Sequence, residues 1–176
     1  RLFHTYALLG GMPEVIQHYA LHRDLAALAP IYESLIAAYL DDVEKYAGNT
    51  AQIQYIRHAI RSVFKEAGHR IKFQGFGRSD YGSREMGEAL RTIEKALLIH
   101  LVFPQTHATL PLMPDHRKSP RLQVLDSGLM NFSLGIQKEI FKTENLDQIY
   151  QGMLIEHLVG QEILASQSNV LSGLHF

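Results

Sequence analysis

In residues 28–46, LAPIYESLIAAYLDDVEKY, apolar side chains recur at three- and four-residue spacing, at Ile31, Leu35, Ala38 and Tyr39, with Val43 and Tyr46 extending the stripe. That period predicts an amphipathic helix. Its charged end, Asp41, Asp42, Glu44 and Lys45, runs into the breaker GNT. Adjacent helical residues diverge by about 100°, so Asp41 and Asp42 are expected as a solvated helix end and not as a paired metal site. IQYIRHAIRSVFKEAG predicts a helix stopped by Gly68, and HRIKFQGFG a short extended piece. Ser83 is the expected cap of the next helix, whose stripe is Met86, Leu90, Ile93 and Leu97. LIHLVFP and PRLQVLD then predict two strands around a loop rich in Pro and His, with Pro104, His107, Pro111, Pro114 and His116.

The two ends of the chain are also helical in pattern. YALLGGMPEVIQHY reads as a helix-to-helix corner: Gly10 and Gly11 supply the stop, Pro13 biases Met12 towards extended backbone, and Pro13-Glu14 opens a new first turn. In VLDSGLMNFSLG, Asp126 or Ser127 can cap a short helix over Gly128 to Leu134 that Gly135 ends. A catalytic role for Asp126 has no obvious partner in the sequence. GMLIEHLVGQEILAS predicts a last helix with the stripe Ile155, Leu158, Val159 and Ile163, with Glu162 projecting within it and Glu156 at its edge. A carboxylate on a buried face must be paired, protonated or bound to something positive. LSGLHF reads as a strand just beginning. The start at Arg1, already inside the pattern of Leu2, Phe3 and Tyr6, and the finish on that strand predict a piece cut from a longer protein.

The 176 residues, 46% of them apolar, can bury a core. The absence of cysteine excludes disulfide frameworks, thiolate zinc sites and thiol nucleophiles and suits a reducing compartment. No apolar run reaches the roughly 18 residues that span a bilayer, so a cytoplasmic protein without membrane contact is expected. The net charge of −1 conceals −3 over residues 1–51, +6 over 52–125 and −4 over 126–176. A basic centre between acidic flanks can mark a nucleic-acid contact or a charge-matched interface.

That centre coincides with the order helix, helix, two strands around a long tip, which is the order of a winged helix. The candidate recognition helix, however, carries the mixed face Glu85, Glu88, Arg91, Glu94 and Lys95. The positive charge sits on Arg57, Arg61, Lys65, Arg70, Lys72 and Arg78 before it and on Arg117, Lys118 and Arg121 at the wing, and these are the candidate contacts for duplex DNA. His18 and His22 share one helical face but lack the H-E-x-x-H context, Gly75 and Gly77 do not fit a dinucleotide fingerprint, and Ser, His and Asp occur without a nucleophile elbow.

GGMPEVIQHY, AAYLDDVEKY, RLQVLDSGLMNFSLG and GMLIEHLVGQEIL, in that order, resemble the C-terminal region behind the ATPase domain in a large family of bacterial and archaeal AAA-type P-loop ATPases. The resemblance covers nearly the whole chain, although each motif alone is mostly Gly, Leu and acidic residues. It implies a helical linker over residues 1–51 after a missing ATPase domain, a winged-helix-like domain over 52–135, and the start of a PD-(D/E)XK nuclease-like domain over 136–176. It implies that Glu156 or Glu162 is the acidic position of that domain's first helix and that Phe176 lies in its first strand. The metal site would then be incomplete here, since one glutamate cannot hold magnesium and activate water. No G-x-x-x-x-G-K-[ST] is present, so ATP and magnesium are expected for the parent and no cofactor or metal for this chain.

The expected fold class is mainly α with a small β component. Two functions stay open: a non-catalytic module coupling the ATPase domain to the nuclease-like domain through Met12, Pro13, Glu14, Lys45 and Tyr46, or a DNA-binding winged helix that regulates transcription or delivers duplex. The oligomeric state is not legible in the sequence.

Overall fold

The computed structural model describes residues 2–106, 110, 113–136 and 152–166. The described chain is mainly helical with one small antiparallel sheet, the fold class expected. Helix α1, Leu2–Leu9, ends at Gly10, whose φ of +72° suits a residue without Cβ, and α2, Pro13–His22, starts with Pro13 at its first position. The corner is thus formed as its Gly and Pro predict. Helix α3, Ala29–Asp42, is flanked by single 3-10 turns at Ala26–Leu28 and Val43–Lys45. Its inward face turns on Tyr32 and continues into Val43, both buried, while Ala38 of the expected stripe is exposed. Tyr32 is drawn inward by a polar partner as well as by its ring, which periodicity does not reveal.

Helix α4, Thr50–Val63, is started by Asn49, whose Oδ1 accepts the Gln52 N–H at 2.9 Å, while the Gln52 side chain reaches back to the Gly48 N–H at 2.7 Å. Helix α5, Ser83–Lys95, packs on α4 through Met86, Ala89, Leu90 and Ile93. Ser83 is its first helical residue and not its cap. Gly82 holds the cap position with no side-chain bond, and the Ser83 N–H is taken by Gln74 Oε1 at 3.2 Å.

Strands β1, Ile99–Val102, and β2, Arg121–Val124, pair antiparallel with Ile99 opposite Val124 and Val102 opposite Arg121. A third extended piece joins the far edge of β2. Arg70 bridges Arg121, the Gly68 N–H donates to Leu122 O and the Ile71 N–H to Pro120 O. Glu94, half-buried at the end of α5, accepts the Leu101 N–H at 2.7 Å, and burial raises its pKa against that bond. Short α6, Ser127–Ser133, follows β2 at once. Helix α7, Met153–Ser166, returns across β2 and α6. LSGLHF, with Phe176, lies outside the described residues.

One hydrophobic cluster runs from Leu9, Leu28 and Tyr32 through Ile56, Val63, Met86 and Leu90 to Leu122, Leu129 and Leu158. Where α1 meets α6, a Cβ on Gly128 would collide with the Leu9 carbonyl, whereas one on Gly11 would meet nothing closer than Tyr6 at 3.8 Å. Gly128→Ala should therefore lower stability by at least about 2 kcal/mol, the cost of overpacking against backbone. Gly11→Ala should stay within about 0.5 kcal/mol of the wild type. Urea denaturation of both variants checks this, and equal losses would contradict the packing.

Candidate functional site

The end of α1 is buried, so its last carbonyls cannot turn to water and need partners from elsewhere in the chain. Asn131 of α6 supplies both, its Nδ2 donating to Ala7 O at 2.8 Å and Leu8 O at 3.0 Å. The Tyr32 hydroxyl donates to Leu9 O at 2.9 Å. Asp126 takes the donor on the other side of the turn: Oδ2 accepts the Gly11 N–H at 2.6 Å while Oδ1 accepts the Leu129 N–H at 2.9 Å, which caps α6. A Cβ on Gly10 would collide with this carboxylate. The Gly-Gly corner is thus clasped onto the LDSGLMN stretch.

Beside the clasp lies a cavity of about 630 Å³. All four motifs quoted above contribute to its walls: Gly11 and Met12 from the corner, Tyr39 from α3, Gln123 to Asp126 from β2 and its end, and Gln161 and Glu162 from α7. Tyr6, Leu97, Ile99, His100, Leu164 and Ala165 complete it. The Tyr6 hydroxyl donates to Glu162 Oε1 at 3.0 Å and so joins α1 to α7. Burial raises the pKa of Asp126, opposed by the N–H groups of Gly11, Leu129, Gly128 and Met12. Burial also raises Tyr6 and Tyr39, and the negative charge of Asp126 adds to both.

Helix α7 keeps only Leu158 of its expected inward face. Leu154, His157 and Leu158 are buried, whereas Ile155 and Val159 are each 52% exposed and Ile163 43%. The helix is apolar almost all round, so spacing alone could not choose a side. Ile155, Val159 and Ile163 instead form a shallow apolar groove with exposed Phe3. Glu162, expected within a buried stripe, is exposed and held by Tyr6, and Glu156 is exposed and paired with Arg121. The two carboxylates expected at a nuclease-like acidic position therefore both serve contacts within the chain. Among the described residues, no three metal-ligating side chains come together. The His18 and His22 rings do meet, with centroids 4.5 Å apart and planes tilted by 46°.

The basic candidates divide. Arg57 lies against α3, donating to Leu40 O and to Glu44, each at 3.3 Å. Arg117 pairs with Asp115, and its backbone N–H is the main reason the Asp115 pKa is lowered. Arg121 is engaged by Glu156. Arg61, Lys65, Arg70, Lys72, Arg78 and Lys118 are exposed. On α5, Arg84 pairs with Glu88 and Arg91 lies over the Phe73 ring. Of the interdomain candidates, Met12 is half-buried at the cavity, Pro13 and Glu14 are exposed, Lys45 pairs with Asp42, and Tyr46 is exposed.

A family model described as a domain of unknown function, DUF8612, matches residues 1–140. The chain belongs to that family. The DUF8612 span holds every partner of the clasp, from Ala7 to Asn131, whereas α7 and its glutamates lie beyond it. No curated protein and no solved structure matches the chain.

Tyr6, Tyr32, Asn131 and His157 were invisible as site residues in the sequence; an Asn inside a short apolar helix was the one available signal. His157 is buried with no hydrogen-bond partner of good geometry on either ring nitrogen among the described residues, and burial drives its pKa to about 4, with the Val124 backbone opposing. Its folded pKa lies below the unfolded value of 6.5, so the unfolded chain takes the proton first. Stability should fall as pH drops from about 6.5 to about 4, by about 3 kcal/mol at 1.36 kcal/mol per tenfold. Asp126 acts with the opposite sign over part of that range, so the test is the difference between wild type and His157→Leu in denaturation at several pH values. A difference that does not change with pH would refute it. Asp126→Ala should cost roughly 2–4 kcal/mol, the sum of a lost cap and an orphaned Gly11 N–H.

Proposed function

We propose that this chain is a non-catalytic coupling module, built around a winged-helix-like unit, that joins an AAA-type ATPase domain to a nuclease-like domain. The observation that carries the reading is the Tyr6 to Glu162 hydrogen bond, which closes a path of contacts from α1 to α7. With the clasp at Asp126, it makes any displacement of the Gly-Gly corner felt at β2, α6 and α7 together. The order α4, bridged strand at Arg70, 3-10 turn Phe76–Arg78, α5 and β1–β2 hairpin supports the winged-helix part. The nuclease-like assignment rests on the resemblance of the last motif. ATP and magnesium belong, in this reading, to the ATPase domain, because the chain has no phosphate-binding loop.

A second reading has its own observation. Arg61, Lys65, Lys72, Arg78 and Lys118 are exposed and could meet a phosphate backbone. Five such contacts would give binding whose logarithm falls with log salt at a slope of about −4.5. Fluorescence anisotropy with a labelled duplex across a salt series separates the two. The coupling reading expects no micromolar binding at low salt, and a steep slope would replace it with DNA delivery. In the full-length parent, replacing Met12 and Glu14 should uncouple ATP turnover from downstream activity, and unchanged coupling would count against the proposal.

A further inference from the structure

The cavity beside the clasp has a sharply one-sided charge. Among the described residues its walls include the carboxylates of Asp126 and Glu162 and no lysine or arginine, with His100 as the one basic side chain. The field of Asp126 reaches both tyrosine hydroxyls, at Tyr6 and Tyr39. Gln161 lies behind this wall. Its Nε2 must face the Leu125 carbonyl, to which it donates at 2.6 Å, and this leaves Oε1 buried without a hydrogen-bond partner among the described residues. The remaining wall is apolar, from Met12, Ile99, Val124 and Leu164.

We infer that this cavity binds a short peptide segment bearing a basic side chain, its aliphatic stem on the apolar wall and its cation against Glu162. Three features fit that occupant. An anion is repelled by two carboxylates, and a wholly apolar ligand would strip water from Glu162 without replacing it. A lysine or arginine side chain satisfies both demands, because its stem is apolar and its head is donor-only. At about 630 Å³ the space exceeds one side chain and admits two or three residues, so an apolar neighbour on each side of the cation can be accommodated. Tyr6 already donates to one oxygen of Glu162, which fixes the carboxylate and leaves the second oxygen for the incoming cation. The inference does not depend on the coupling proposal, since it identifies the chemistry of the occupant and not the domain that supplies it.

The test titrates acetyl-Leu-Arg-Leu-amide into the isotopically labelled chain and follows backbone amide shifts. Saturable shifts at Gly11, Met12 and Leu125 with a submillimolar Kd are expected, and the citrulline analogue, isosteric but neutral, should bind roughly tenfold more weakly. Glu162→Gln should bring the arginine peptide down to the level of the citrulline one. Ala165→Trp, at an exposed position on the rim, should block both peptides without disturbing the core and covers the case in which Glu162→Gln fails to fold. Equal binding of arginine and citrulline peptides, shifts confined to other surfaces, or no shifts at millimolar peptide would each overturn the inference.

Discussion

Everything described here depends on satisfying the backbone where α1 stops inside the protein. A helix end normally turns its last carbonyls to water, but Ala7, Leu8 and Leu9 are buried. The chain solves this at long range. One Asn131 amide group serves two carbonyls, the Tyr32 hydroxyl serves the third, and the Asp126 carboxylate takes the N–H just past the turn. Each bond contributes only about 1 kcal/mol net, yet a buried group left without a partner costs about 1–3 kcal/mol. The arrangement therefore acts mainly as a specification, fixing α1 against α6 in one register. The glycines follow from it: Gly10 leaves room for the carboxylate and Gly128 for the Leu9 carbonyl.

The clasp also sets the electrostatics of the space beside it. Asp126 is anchored by backbone N–H groups, which offset part of its burial cost, and by no cation among the described residues, so its charge is not cancelled. The cavity inherits that charge, and α7 closes it with a second carboxylate. Helix α7 meets the sheet through a histidine that must stay neutral and through Gln123, whose Nε2 donates to the His157 carbonyl. The same small hairpin thus faces a carboxylate at the end of β2 and a neutral imidazole across its face, two buried groups whose protonation pulls stability in opposite directions as pH changes.

Regular elements were legible because each has a local cause. The stripe of α5, the breakers around Asn49, the Gly-Pro corner and the two short strand segments all lie within windows of about ten residues, and the structure places elements at each. What could not be read was long-range polar pairing. Asp126 stood in the sequence as a cap without a partner because Gly11 is 115 positions away, and Tyr32 looked like any aromatic beside an apolar stripe. Ser83 failed as a cap because Gln74 offered its N–H a different acceptor. The inner face of α7 failed for another reason, since a helix apolar on nearly every side has no preferred direction until its neighbours are known.

The basic centre shows how charge counted along a chain differs from charge presented on a surface. Residues 52–125 carry a balance of +6, but Arg57 is directed inward onto α3 and Glu44, Arg117 is held by Asp115, and Arg121 is held by Glu156 from the acidic last third of the chain. Two of these pairs, Arg57 with Glu44 and Arg121 with Glu156, join the basic centre to an acidic flank, whereas Arg117 and Asp115 both belong to the centre. Exposed pairs of this kind add little to stability, about 0–1 kcal/mol each, so their physical effect is on direction. They orient α3 and α7 against the central unit and withdraw cations from any phosphate backbone, which leaves a sparser positive surface on α4 and the segment before α5 than the sequence count suggests.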